Sequence, residues 1–199
     1  MSLAKGHFIV LEGLDGAGST TQSVLLEQHL RKTGRKPVLT KEPTVGLIGG
    51  LIKAALAGEW KITNGALQLL FAADRAHHID TLVKPSIEAG RTVISDRYMF
   101  SSLAYGAISG TDVEWLIKIN SRFPQPDITI FLDVSPQTSV RRITAGRFSA
   151  ELFEKEEKLR AVRKEYLKLA KRFSFKVING ERSIEQVSRD IINRVEAIF

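Results

Sequence analysis

Residues 7–22 read HFIVLEGLDGAGSTTQ, and the turn in the middle of that stretch decides the fold. HFIVLE is a nearly continuous apolar run. A strand buried on both faces reads this way, whereas a half-exposed strand alternates. The run leads straight into Gly13-Leu14-Asp15-Gly16-Ala17-Gly18-Ser19-Thr20, and a helical pattern follows over 20–32. Gly13 and Gly18 have the spacing of a loop that wraps phosphate. Glycine permits the sharp turn, backbone N–H groups close on the anion, and the helix N-terminus adds a favourable dipole. Thr20 stands where the loop hydroxyl ligates Mg²⁺. The lysine that usually precedes this hydroxyl is missing, and Ser19 holds its place. A cation about 4 Å from a phosphate oxygen is worth up to ~4 kcal/mol at an effective dielectric of about 20. Another group must supply that charge, or the chain is a slow enzyme, or it is none.

Outward from the loop the same alternation continues. Strands are expected at 7–12, 37–41, 92–95, 128–134 and 175–178. Helices are expected at 20–32, 44–57, 64–89, 100–107, 111–122, 136–144, 151–173 and 183–198. Short apolar strands alternating with helices imply an α/β protein. The expected form is three-layer and doubly wound: a five-stranded parallel sheet with helices on both faces, of the P-loop NTP hydrolase type. Parallel crossovers are right-handed and ligands sit at the carboxyl ends of the strands, so chemistry is expected just after each one.

The length of 199 residues suits a single domain, 1–199. The chain is 43% hydrophobic and 26% charged, as in an ordinary globular protein. No apolar run approaches the ~20 residues of a membrane span, so no membrane partner is expected. The start lacks the regions of a secretory signal, which makes the cytoplasm the expected compartment. The absence of cysteine excludes disulfides and thiolate metal sites. A net charge of +7 suits a polyanionic ligand, nucleotides included. No aromatic–basic motif supports nucleic-acid binding. The basic residues from 141 to 172 are interleaved with Glu151, Glu154, Glu156, Glu157 and Glu165, which suits a solvated helix laced with charge pairs. His77 and His78 are adjacent and face different sides of a helix, so they are not expected to bind metal together.

Several motifs in order point to a family. GLDGAGSTTQ, from Gly13 to Gln22, resembles the phosphate loop of thymidylate kinases, with Asp15 inside it. Lys41-Glu42-Pro43 is similar to their Arg-Glu-Pro element. Phe71-Ala72-Ala73-Asp74-Arg75 resembles their FxxDR helix. Asp96-Arg97-Tyr98, followed by Ser101, Ser102, Ala104 and Tyr105, resembles their DR[YH]…AY segment. Pro126-Asp127 before ITIFLDV and the segment FEKEEKLRAVRKEYLKLA are also similar.

The resemblance implies a kinase that uses ATP and Mg²⁺ to phosphorylate dTMP, acting as a homodimer. Gly13, Leu14, Asp15, Gly16, Ala17, Gly18, Ser19 and Thr20 would hold the donor phosphates. Thr20 and Asp96 would attend Mg²⁺; Asp96 could instead merely cap the next helix. Arg97 would grip the acceptor phosphate. Phe71 and Arg75 lie four apart on one helix face; by the resemblance one would stack on thymine and the other bond its edge. Glu42, Ser101 and Ser102 would line the acceptor site. Asp15 would bond the 3′-hydroxyl, and Tyr105 would crowd the 2′ position.

The chain also departs from the family pattern. Besides Ser19, Gly106 stands where many relatives have glutamine, Leu152 where arginine is common, and Thr44-Val45-Gly46 where Gly-Gly-Thr is usual. Ala17 leaves the loop without an internal arginine, so the catalytic arginine is expected from a lid at about 144–150. Arg142 and Arg147 are the candidates, and closing lids exclude water. A kinase of the same fold with another nucleotide acceptor, or a degenerate nucleotide-binding protein, stays open as an alternative.

Overall fold

The protein is described by a computed structural model over residues 6–144 and 151–199. Five strands form one sheet: β1 (Phe8–Gly13), β2 (Pro37–Lys41), β3 (Thr92–Asp96), β4 (Ile128–Asp133) and β5 (Lys176–Asn179). All pairs are parallel, in the order β2-β3-β1-β4-β5. Each strand starts and ends within one residue of its expected bounds. Every residue of β1 and β3 is buried, which explains why these segments are apolar without alternation. The edge strands β2 and β5 expose Leu39 and Val177.

The helices are α1 (Ser19–Lys32), α2 (Leu47–Leu56), α3 (Asn64–His78), α4 (Lys84–Glu88), α5 (Met99–Ile108), α6 (Val113–Asn120), α7 (Pro136–Thr144), α8 (Glu151–Arg172) and α9 (Ile184–Glu196). α1 packs with α9 on one face of the sheet, and α5 packs with α8 on the other. Phe131 of β4 stacks on Tyr166 of α8 with centroids 4.9 Å apart, in a core that includes Ile9, Leu11, Ile94 and Ile130. The α/β doubly wound fold is therefore the one the alternation implied. β1 lies between β3 and β4, so the strand order reverses beside it. A crevice opens at such a switch point, outside the carboxyl ends of the strands.

The helix expected over 64–89 differs in one respect. Residues Ile79–Val83 form a π-helical turn between α3 and α4. Pro85 enters at the start of α4. Its ring would crowd the carbonyl four residues back and it has no N–H to offer, so a widened turn lets the helix continue. The charge pairs expected on the long basic helix are present, as in Glu156–Arg160 and Glu165–Lys168. Among the described residues, no helix is long and apolar enough to cross a membrane.

Candidate active site

Beyond β1 the chain turns through Gly16 (φ 79°) and Gly18 (φ 97°), both in the left-handed region that glycine enters freely. A Cβ at Gly16 would also stand 2.8 Å from the Ser139 carbonyl oxygen. Thr63, Asp112 and Ser183 cap α3, α6 and α9 with their side chains, but α1 is entered from Gly18 with no side-chain cap. Its first N–H groups are left for an anion. The loop opens on a cavity of about 720 Å³ that reaches Arg97, Arg142 and the β5–α9 turn with Arg182 and Ser183.

Ser19 is buried in the wall of this cavity and brings no charge. Arg142 does. Its Nη2 donates to the Gly180 carbonyl at 3.0 Å, and its Nη1 lies 3.4 Å from the carbonyl oxygens of Gly16 and Ala17. The guanidinium thus bridges the loop and the β5–α9 turn. Arg147 and the rest of the expected lid beyond Thr144 lie outside the described residues.

Thr20 and Asp96 are brought together. Thr20 Oγ1 donates to Asp96 Oδ2 at 2.5 Å, while Asp96 Oδ1 is buried without a partner. A free carboxylate oxygen beside a hydroxyl suits a hard cation, and Mg²⁺ keeps most of its ligands as water and phosphate oxygens. Among the described residues, no group of three or more His, Cys, Asp or Glu could hold a metal by itself.

At the end of β3, Arg97 sits in the turn that leads into α5 with a left-handed backbone, φ 73°. Its Nη1 donates to the Gly13 carbonyl at 3.0 Å and to Ser101 Oγ at 3.1 Å, and its Nη2 to Asp15 Oδ1 at 2.8 Å. The Asp15 N–H donates to the Tyr105 hydroxyl at 3.2 Å. Burial pushes that hydroxyl up to about 12 despite nearby Arg97, so it is neutral at ordinary pH. Two separate sequence motifs therefore converge on one cluster.

Arg75 is almost wholly buried. Nε donates to Glu42 Oε2 at 2.8 Å, Nη1 to Asn120 Oδ1 at 2.5 Å and Nη2 to Ser102 Oγ at 3.1 Å. Glu42 turns its other oxygen to His78 Nδ1 at 3.0 Å, so both its oxygens are taken by side chains and it orients Arg75. Phe71 is half-buried, one turn before Arg75 on α3. His78 is buried between Glu42 and Thr40 while His77 is exposed, as their adjacency implied.

Four features were missed. Glu12 is buried beneath the Arg97 cluster, and a lone carboxylate in an apolar strand was the available signal. Asp74 of FAADR accepts the Thr44 N–H at 2.8 Å and the Thr44 hydroxyl at 2.7 Å, which accounts for threonine at that departure. A Cβ at Gly106 would meet Leu116 Cδ1 at 2.7 Å and the Gln68 amide at 3.2 Å, so a side chain there requires the ends of Leu116 and Gln68 to shift. The β5–α9 turn that walls the cavity carried no recognisable motif.

Residues 11–191 match the family described as Thymidylate kinase. A protein of Thermococcus kodakarensis named Probable thymidylate kinase is 46% identical over 201 residues, covering 96% of this chain and 98% of its own length. Proteins of the same name from Thermococcus gammatolerans and Methanocaldococcus jannaschii are 44% identical over 200 residues and 38% over 192, each covering 96% of both chains. With a family match spanning nearly all of the sequence and relatives aligned along nearly their full length, this chain belongs to the thymidylate kinase family.

Proposed function

We propose that this chain moves the terminal phosphoryl group of ATP onto dTMP, giving ADP and dTDP, through the residues assembled around the glycine loop. Membership of the thymidylate kinase family makes the chain an ATP-dependent nucleoside monophosphate kinase. The observation that carries the arrangement is the Asp15–Arg97–Tyr105 cluster, which joins the acceptor residues to the donor loop. An oxygen of the acceptor phosphate bonds the γ-phosphorus as the bond from that phosphorus to the departing ADP oxygen breaks. Such transfer needs alignment and charge neutralisation more than covalent chemistry.

Amides from Gly13 to Thr20 hold the donor phosphates, and Arg142 supplies charge that Ser19 does not. Thr20 and Asp96 hold Mg²⁺, which when bound neutralises phosphate charge. Arg97 grips the acceptor phosphate with its forked donors. Phe71 stacks on thymine, and Arg75, held by Glu42, Asn120 and Ser102, offers one of its two remaining N–H groups to the base edge. Ser101 steadies Arg97, Asp15 takes the 3′-hydroxyl, and Tyr105 crowds the 2′ position. Two copies act as a homodimer in the cytoplasm; exposed Leu47 and Leu51 on α2 and Leu69 on α3 supply apolar surface for such a contact.

A coupled ADP-release assay over dTMP, dUMP, dCMP, dGMP and UMP tests this function. The expected outcome is that dTMP exceeds dCMP and dGMP at least tenfold in kcat/KM, which is about 1.4 kcal/mol of differential binding. Equal activity on all five acceptors would overturn the assignment.

A further inference from the structure

Glu12 is the last residue but one of β1 and is fully buried, yet no step above uses it. Burying a carboxylate is costly unless its oxygens are bonded. Four donors converge here. Oε1 accepts the backbone N–H of Tyr98 at 2.9 Å and of Ser101 at 3.2 Å. Oε2 accepts the Ser101 hydroxyl at 2.6 Å and the Tyr166 hydroxyl at 2.9 Å. Tyr98 is the N-cap of α5 and makes no side-chain cap of its own. Glu12 therefore caps α5 from a neighbouring strand and sets a negative charge at the positive end of that helix.

The consequence reaches Arg97. The Ser101 hydroxyl that donates to Glu12 accepts from Arg97 Nη1 at 3.1 Å. Arg97 itself holds a left-handed backbone, which a long side chain keeps only where its surroundings enforce it.

We propose that Glu12 is a positioning residue that, in its ionised form, holds Ser101 and Arg97 in the geometry that grips the acceptor phosphate. Its role rests on reading Arg97 as that grip. A protonated Glu12 carries a donor of its own, so at least one of the Ser101 and Tyr166 hydroxyls, which lie 2.8 Å from each other, must turn its hydrogen away from Glu12. Arg97 faces it from the β3–α5 turn and Tyr166 from α8, with Tyr98 and Ser101 at the start of α5. Asp15 and Tyr105 lie just beyond Arg97, and β4 pairs beside Glu12 with Phe131, which does not titrate. Burial pushes the Glu12 carboxyl up to about 7, against the Ser101 hydroxyl, the Arg97 guanidinium, the Tyr166 hydroxyl and the Tyr98 amide, which pull it down. The loss of charge on acidification therefore falls near neutrality.

Equilibrium binding of dTMP, and separately of ATP, to the full chain, Glu12→Gln and Tyr166→Phe between about pH 5.5 and about pH 8.5 tests the role. Ionisation of the dTMP phosphate is common to all three proteins, so affinity ratios between them report the protein alone. The parent chain should bind dTMP about tenfold more tightly than Glu12→Gln above the transition, and the ratio should fall toward one in acid. ATP affinity should change by less than about twofold in both variants. Tyr166→Phe removes a donor that favours the ionised form, so its transition should move to higher pH. A flat ratio for Glu12→Gln, or equal losses of ATP and dTMP binding, overturns the proposal. If Glu12→Gln does not fold, an unshifted transition in Tyr166→Phe overturns it. If none of the five acceptors binds the parent chain, the proposed function fails and this role with it; dTMP binding with a flat ratio removes only the role of Glu12.

Discussion

Arg97 Nη2 stands 2.8 Å from Asp15 Oδ1, so the side chain proposed to grip the acceptor is oriented by a carboxylate inside the glycine loop. Asp15 is more than half exposed, and such a pair adds little to stability. Its value lies in alignment. Asp15→Asn should therefore lower kcat strongly, by about tenfold or more, while ATP still binds through the loop amides. Steady-state kinetics with both substrates saturating, together with direct ATP binding, check this. Collapse of ATP affinity with normal kcat would assign Asp15 to the donor instead.

Glu42 and Arg75 form a buried pair, with side chains 3% and 1% exposed. Removing one member leaves the other charge without its counter-ion, which costs about 3–5 kcal/mol at a buried site. Glu42→Gln keeps the shape and part of the hydrogen bonding, so its cost should sit at the lower end, about 3 kcal/mol. Urea unfolding measures it. The KM for dTMP should rise as well, because Arg75 loses the group that orients it. A fully stable variant with unchanged KM would show that Asn120 and Ser102 suffice to hold Arg75.

What was legible in the sequence depended on whether a residue's role is local. The strands were readable because β1, β3 and β4 are buried and their composition reports that directly. The loop from Gly13 to Thr20 was readable because a left-handed turn and an uncapped helix start leave local marks. The resemblance pointed to Glu42 as an acceptor-site residue but not as the partner of Arg75, since that pairing joins residues 33 apart through tertiary packing. Glu12 was overlooked because its four donors come from α5, its preceding turn and α8, and nothing near it in sequence signals them. The crowding at Gly106 depends on Leu116 and Gln68, on two other helices, and is equally invisible from the neighbouring letters.

The same buried carboxyl implies a pH dependence of stability. Burial raises the Glu12 carboxyl to about 7 in the folded chain, whereas an unfolded glutamate stays at its ordinary value of 4.5. Below 4.5 the group is protonated in both states. Between those values the folded chain binds the proton and the unfolded chain does not, so this contribution to stability is lost as pH rises through the window. Above about 7 the cost is complete. Compared with Glu12→Gln, the parent chain should therefore lose stability progressively from acid to neutral pH and level off beyond it. Urea midpoints across that range check the sign. A difference that grows toward acid pH would mean that the four donors outweigh burial.

The charge missing at Ser19 sets the last test. Ser19 cannot neutralise a phosphoryl group in transfer, and Arg142 already lies over the loop, 3.4 Å from the Gly16 and Ala17 carbonyl oxygens. These carbonyls and that of Gly180 hold the guanidinium at the cavity wall, from which a short swing would bring it to the donor phosphates. Arg147 is the second candidate, proposed from its place in the expected lid. An arginine acting on the transition state is worth about 10³ to 10⁵ in kcat. Arg142→Ala or Arg147→Ala should accordingly cost at least about a hundredfold in kcat. The loss should fall on kcat more than on KM, since the charge matters most when the phosphoryl group is between its two oxygens. Ser19 lines the same cavity, so Ser19→Lys has space to extend toward the phosphates and should partly rescue the arginine variant. Rescue would show that the two positions supply one charge; without rescue, the arginine also does something lysine cannot, such as bonding two phosphate oxygens at once. If both arginine variants keep near-parental kcat, the compensating charge comes from neither, and Arg182 on the β5–α9 turn that walls the cavity becomes the group to test next.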